Sequence, residues 1–365
     1  MRGELMYGYI HEQPEAVTKT LHAVEARLGD LADLVAARHP KRMVVAGFGS
    51  SYTAAQIAAP VLRRHVPIAT SVVVATDIVA DRGVVLDPET VAVFVSRSGE
   101  RGWLVDSVEA AREGGALCVA VTGSESSLLA QRSQFVIGTA EGPEGAYSKT
   151  KSVITTAAAL MQLGLALDAD RGAEWQARRD ALSAIPQVIE ASVAVADEAL
   201  NANKDWLARH QSTLVTGSGG NYGVAHEGAL KIQEAAGWVA QYENTGDAIH
   251  GALGVLGPDW LVVSLVGAGD YRLGAAFLDL VREFGADRLC IAKTGLPEMP
   301  RAEQVIELPS VADSLVAPLA YLPTLQLLTY HMAVARDLDP DHPVYAETML
   351  RAMLPKGRTE PDWRA

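Results

Sequence analysis

Val44-Val-Ala-Gly-Phe-Gly-Ser-Ser-Tyr52 and Leu214-Val-Thr-Gly-Ser-Gly-Gly-Asn-Tyr222 are one pattern written twice, and that repetition decides the fold. Gly47, Gly49 and Tyr52 fall on Gly217, Gly219 and Tyr222 at a spacing of 170 residues. Further along, Leu117-Cys-Val-Ala-Val-Thr-Gly123 returns as Leu289-Cys-Ile-Ala-Lys-Thr-Gly295 at a spacing of 172. Between these lie two more apolar runs, Val91 to Ser96 and Trp260 to Val266. Each half closes on a long apolar helical stretch, near 152–167 and 318–335. Four features at nearly one offset mark an internal repeat.

Within each half, short Val- and Ile-rich runs alternate with helical stretches such as 102–114 and 271–284. That alternation implies βαβ units and a parallel sheet covered on both faces. The expected fold is two tandem three-layer α/β/α domains at 28–168 and 197–337. A helical connector (169–196) joins them, and arms at 1–27 and 338–365 flank them. The length of 365 residues suits two domains.

Composition narrows the function. With 49% hydrophobic and 21% charged residues the chain is ordinary globular protein. Its 31 basic and 44 acidic residues give a formal charge of −13. Such a surface repels phosphate backbones and anionic lipid, so no nucleic-acid or membrane partner is expected. A local positive pocket for a small anion stays open. The two cysteines, Cys118 and Cys290, sit in apolar runs and read as core residues. The N-terminus carries charges too early for a signal peptide. Neither long apolar stretch reads as a membrane span, so the expected location is cytoplasmic.

Ligands of an open parallel sheet bind beyond the carboxyl ends of its strands. There the first half places Gly47-Phe-Gly-Ser-Ser-Tyr52 and Ser96-Arg-Ser-Gly-Glu-Arg101. Backbone N–H groups, hydroxyls and helix N-termini at such turns suit an anion. Ser50, Ser51, Ser96 and Ser98, with Gly49 and with Arg97 or Arg101 nearby, are the candidate phosphate ligands. For any one turn, helix capping is the better reading. Two such turns in one sheet bring phosphate level with it. The glycines do not form Gly-x-Gly-x-x-Gly, which disfavours a dinucleotide. In the second half Glu227, Lys231 and Glu234 recur at i, i+4 and i+7, one face of an otherwise small and apolar helix. Ionisable groups there need partners or a task. His250 follows in Asn244-Thr-Gly-Asp-Ala-Ile-His-Gly251. A lone His beside Gly is usually structural, yet a carboxylate and an imidazole near one pocket suit proton transfer.

These residues resemble the sugar isomerase (SIS) domain family in its tandem form. The resemblance rests on Glu12-Gln-Pro14, Gly-x-Gly-Ser-Ser-Tyr52, Ser-Arg-Ser-Gly-Glu100, Gly-Pro-Glu144 with Lys151, Glu-Gly-Ala-Leu-Lys231, Glu234 and His-Gly251. It extends to the isomerase half of glucosamine-6-phosphate synthase, the amino-sugar phosphate deaminases and the fructosamine-6-phosphate deglycases. The resemblance implies that Ser50, Ser51, Ser96 and Ser98 bind the substrate phosphate and that Glu234 moves a proton between C1 and C2. It implies that His250 opens the sugar ring from the other subunit of a homodimer, with Glu227 and Lys231 in support. It implies no metal and no organic cofactor.

Departures from the family pattern qualify the reaction. The synthase has a glutaminase domain led by a nucleophilic Cys. Only about 27 residues precede the first domain here and none is Cys, so glutamine is not expected to donate nitrogen through this chain alone. Arg101 stands where the family has Thr, and Asp247 where Glu is common. The tail Pro-Arg-Asn-Leu-x-Lys is missing, leaving its lysine without a counterpart. Asp341-His-Pro343 and Glu347-Thr-Met349 look closer to deglycase tails. The resemblance therefore implies a phosphosugar enzyme that enolises an amino-sugar 6-phosphate with loss of the amino group. The alternatives are an aldose–ketose isomerase without C–N cleavage and a non-catalytic phosphosugar-binding regulator.

Overall fold

Runs such as Val91-Ala-Val-Phe-Val95 are apolar at every position, so they bury both faces of a strand and demand cover on both sides. The computed structural model describes residues 2–80, 83–100 and 102–348. In the first half the strands are β1 Arg42–Gly47, β2 Ala69–Val74, β3 Thr90–Val95, β4 Leu117–Thr122 and β5 Phe135–Gly138. They pair in parallel in the order β2-β1-β3-β4-β5. The second half repeats this with β6 Ser212–Gly217, β7 Val239–Asn244, β8 Trp260–Val266, β9 Asp287–Lys293 and β10 Gln304–Leu308. Its order, β7-β6-β8-β9-β10, is the same topology. Two parallel five-stranded sheets with flanking helices are the two tandem α/β domains of the repeat.

Helices Lys151–Ala166 and Pro318–Ala335 close the two halves. Both are buried on nearly every side, which explains why they are apolar all round. One apolar core runs through both domains, joining Ile154 and Leu160 to Leu319 and Leu328. Cys118 and Cys290 are free thiols buried in β4 and β9, and burial pushes them up to about 11 and about 12.

Two of the expected boundaries fall inside continuous helices. The Gln13–Arg38 helix runs through residues 27 and 28, because Val17, Leu21, Val24, Leu28, Leu31 and Val35 form one unbroken apolar stripe. The Ala173–Ala202 helix likewise runs through 196 and 197. No helix among the described residues is long and apolar enough to cross a membrane.

Candidate active site

In the first sheet β1 is flanked by β2 on one side and β3 on the other, so the strand order reverses between β1 and β3 while every strand stays parallel. That crevice, beyond the strand ends, is where open α/β sheets take ligands. After β1, Gly49 turns with φ 48° and ψ −127° and leads directly into the Ser50–His65 helix. Only glycine holds that backbone without strain. Gly219 repeats it after β6, with φ 57° and ψ −126°. After β3 comes the 96–101 turn, whose residue Arg101 lies outside the described residues.

The serines divide by what their hydroxyls do. Ser50 donates to Glu227 Oε1 at 3.1 Å. Ser96 Oγ accepts the Gly99 N–H at 3.0 Å, stapling its own turn. Among the described residues, no partner takes the hydroxyls of Ser51 or the exposed Ser98. The Arg97 Nε lies 3.8 Å from both Glu141 Oε1 and Glu144 Oε2, so the guanidinium is drawn to buried carboxylates beneath the turn.

The second domain meets this crevice through one helix. The Gly220–Lys231 helix packs antiparallel against Ser50–His65. At Gly223 the two backbones nearly touch, since a Cβ there would lie 2.6 Å from the Ile57 nitrogen. His226, stacked on Tyr242 at 3.7 Å, pairs with Gln56 Oε1 at 2.7 Å and fixes the same seam. Glu227 is thereby delivered to Ser50 and Thr53. Burial pushes its carboxyl up, with Lys231 and Thr53 opposing. Lys231 Nζ lies 3.5 Å from Glu227 Oε1 and also bonds Glu234 Oε2. Burial alone would push that ammonium down, but the two carboxylates reverse the effect and hold it well above the ordinary lysine range.

The helical face expected for Glu227, Lys231 and Glu234 is not one regular α-helix. It ends at Lys231 and widens into a π turn over Ile232–Ala236, closed by Gly237 N–H to Ile232 O at 3.0 Å. Such widened turns recur at functional sites. Glu234 is a quarter exposed at its side chain (26%), whereas Lys231 (1%) and Glu227 (0%) are sealed. Ser148 donates to Glu234 Oε2 at 3.2 Å. The Tyr345 hydroxyl donates to the carbonyls of Gln233 and Glu234, folding the C-terminal segment over the turn.

Ser148 belongs to a loop organised by Glu144. The buried Glu144 carboxylate accepts the backbone N–H groups of Thr150, Lys151 and Ser152, and the Ser152 hydroxyl at 2.7 Å. It caps the Lys151–Ala166 helix. Burial works against its ionisation, but these hydrogen bonds, with Lys149 and Arg97, hold it below the usual carboxylate range. Lys149 gives two bonds to carbonyls of the same loop, Glu144 O at 2.8 Å and Ala146 O at 2.7 Å. Lys151 instead pairs with Glu12 at 2.5 Å, and its Nζ lies 4.4 Å from the centre of the Tyr9 ring, tethering the N-terminal arm. Asp341 caps the first helix through Leu5 and Met6 N–H, so this part of the tail is structural.

His250 stands apart, which corrects the idea of one carboxylate–imidazole pocket within a chain. It is exposed on the Ala248–His250 turn after β7, at the edge where Asn244 pairs with Gly217. Glu234 lies beyond the far end of the helix that starts at Gly220, so the two residues stand at opposite ends of the β6–β7 pair. Sequence reasoning also passed over Thr53, Ser148, Lys149 and Tyr345. Their only signal was proximity to recognised motifs. Among the described residues no cluster of three or more His, Cys, Asp or Glu could hold a metal ion.

Comparison with known proteins agrees with this architecture. The chain is 30% identical over 353 residues to glutamine–fructose-6-phosphate aminotransferase [isomerizing] 1 of Arabidopsis thaliana, covering 92% of this chain and 52% of that protein. It is 32% identical over 351 residues to the aminotransferase of the same name from Pseudomonas putida, covering 92% and 56%. The chain thus spans about half the length of the curated relatives it matches. Its structure superposes on the C-terminal domain of glucosamine-fructose-6-phosphate aminotransferase from Francisella tularensis with a TM-score of 0.84 at 23% identity, covering 93% of this chain and 98% of that one. The SIS domain profile matches residues 37–166 and again 207–336, so the chain belongs to the SIS domain family, with two copies in tandem.

Proposed function

We propose that this protein is an enzyme that binds a sugar 6-phosphate in its open-chain form and moves a proton between C1 and C2. Its substrate on this reading is an amino-sugar 6-phosphate that loses its amino group. The observation that carries the reading is a continuous chain of polar contacts. It runs from Ser50, at the mouth of the β1–β3 crevice, through Glu227 and Lys231 to Glu234 and Ser148. A phosphate held by the two Gly/Ser turns leaves the sugar carbons directed along that chain towards a carboxylate that is a quarter exposed. Removing the C2 proton of an opened 2-amino sugar gives an enolamine. Its tautomer is an imine, which water hydrolyses to ammonia and a ketose phosphate. The relatives' names refer to nitrogen chemistry on fructose 6-phosphate, which supports this choice. Their "isomerizing" step also supports a second reading, aldose–ketose interconversion alone.

A panel of amino-sugar 6-phosphates and fructosamine 6-phosphates, read by released ammonia or amine and by ketose phosphate, separates the two. Interconversion of nitrogen-free sugar phosphates with no amine release establishes the isomerase. Ser51 and Ser98 carry the phosphate on this reading, with Ser50 and Ser96 shaping the turns. Replacing Ser51 and Ser98 together by Ala raises KM more than tenfold, since each charge-assisted hydrogen bond is worth roughly 1.5–3 kcal/mol. An unchanged KM for the phosphorylated substrate rejects that assignment.

The placement of Glu234 and His250 at opposite ends of the β6–β7 pair supports a homodimer in which each His250 serves the partner's site. Inactive Glu234→Gln and His250→Ala chains, mixed and allowed to exchange, then regain part of the activity. No recovery after demonstrated exchange counts against sharing.

A further inference from the structure

Lys231 bonds Glu234, and Lys149 follows Ser148, which also bonds it; their surroundings drive the two lysines apart. Lys231 is sealed between Glu227 and Glu234 and stays charged. Lys149 has no carboxylate side chain bonded to its amine among the described residues. Two of its N–H bonds go to backbone carbonyls, and one is left over. It follows Ser148, which itself holds Glu234. The charged groups acting on it come from every side: Glu144 on its own loop, Arg97 on the 96–101 turn, and Lys231 and Glu234 on the second domain's helix. Lys149 therefore sits on the loop that bonds Glu234 through Ser148 and meets Arg97 of the phosphate turn through Glu144.

We infer that Lys149 carries protons to and from the substrate oxygen or nitrogen while Glu234 carries the proton between carbons. The inference rests on the function proposed above and names the second half of its acid–base pair. Glu234 takes the C2 proton, and the C–H electron pair becomes the C1–C2 double bond. The carbonyl pair moves onto O1, which takes a proton from the Lys149 ammonium. Glu234 then returns its proton to C1, and the neutral Lys149 amine takes a proton from the nitrogen on C2. The product is the C2 imine, and both side chains regain their starting states. In a nitrogen-free sugar, O2 replaces the nitrogen.

Burial, helped by Arg97 and Lys231 against Glu144 and Glu234, brings the Lys149 ammonium down to about 8, within reach of proton exchange at neutral pH. Lys231, held high, cannot exchange there.

The test is the pH dependence of kcat in wild type, Lys149→Arg and Lys149→Met, with substrate binding followed separately. Wild-type kcat is expected to fall above about pH 8, as Lys149 loses its proton. Arg keeps the charge and the donors but does not release a proton below pH 12 or so. Lys149→Arg should therefore lower kcat about fiftyfold or more and abolish that limb, with KM changed less than threefold. Lys149→Met should lose as much. Because either variant can disturb the loop, Lys149→Cys alkylated with bromoethylamine gives a second reading. The buried Cys118 and Cys290 are spared, and the restored amine should recover at least tenfold of the lost rate. Retention of kcat within threefold in both variants overturns the inference, as does an unmoved limb or no recovery on alkylation. Borohydride trapping of substrate on Lys149 overturns it too, because the amine is then a nucleophile. In each case wild-type turnover leaves the proposed function standing. No turnover of any sugar phosphate by wild type removes both.

Discussion

Glu234→Gln is expected to lower kcat by about a hundredfold or more, the lower range for loss of a general base. The substitution keeps the shape and the hydrogen bond from Ser148 but removes the group that accepts a carbon-bound proton. Its effect belongs in kcat rather than KM, because Glu234 lies on the opposite side of Lys231 from the Ser50 turn. A matched loss in kcat and kcat/KM, with sugar-phosphate affinity preserved, identifies an interaction made only in the transition state. A rise in KM at constant kcat would mean that Glu234 merely binds substrate. Full activity in Glu234→Gln rejects the carboxylate as base.

The second large effect is on stability. Lys231→Met should destabilise the fold by about 3–5 kcal/mol, the usual consequence of removing one partner from a buried ion pair. Lys231 fills a sealed site between the domains, and its loss leaves the fully buried Glu227 beside the Ser50 turn without its cation. Glu227 must then take up a proton or lose its packing. Chemical denaturation of Lys231→Met, Glu227→Gln and the double variant checks this. The double variant should recover part of the loss, since two neutral groups no longer strand a charge. A cost below about 1 kcal/mol for Lys231→Met would show that water reaches Glu227 readily.

The repeat, the strand positions and the helices at 318–335 and 102–113 were legible because they depend on local pattern. Val- and Ile-rich runs bounded by Gly make strands wherever the chain folds, and the offset of 170 to 172 residues carried one half's reading to the other. The Gly49 turn was legible for the same reason: a positive φ demands glycine at one place in the chain. The Glu227, Lys231 and Glu234 spacing correctly announced one cluster, since neighbours on a helix need no partner to meet.

What only the tertiary structure decided is which side chains face each other across separate elements. Arg97 and Ser98 are adjacent in a polar turn, yet one guanidinium turns inward because Glu141 and Glu144 are buried beneath it. Glu234 and His250 are sixteen residues apart in sequence. The helix between Gly220 and Lys231 nevertheless runs back along the sheet before β7 returns, leaving them at opposite ends of β7. Lys149 carries no signal of its own in the sequence beside Thr150 and Lys151. Its loop meets Glu234, through Ser148, because the Ser50–His65 and Gly220–Lys231 helices cross tightly at Gly223, joining one domain's crevice to the other domain's helix end. Local propensity sets each element. The direction and partner of a long polar side chain are set by packing between residues far apart in the chain, which no local pattern encodes.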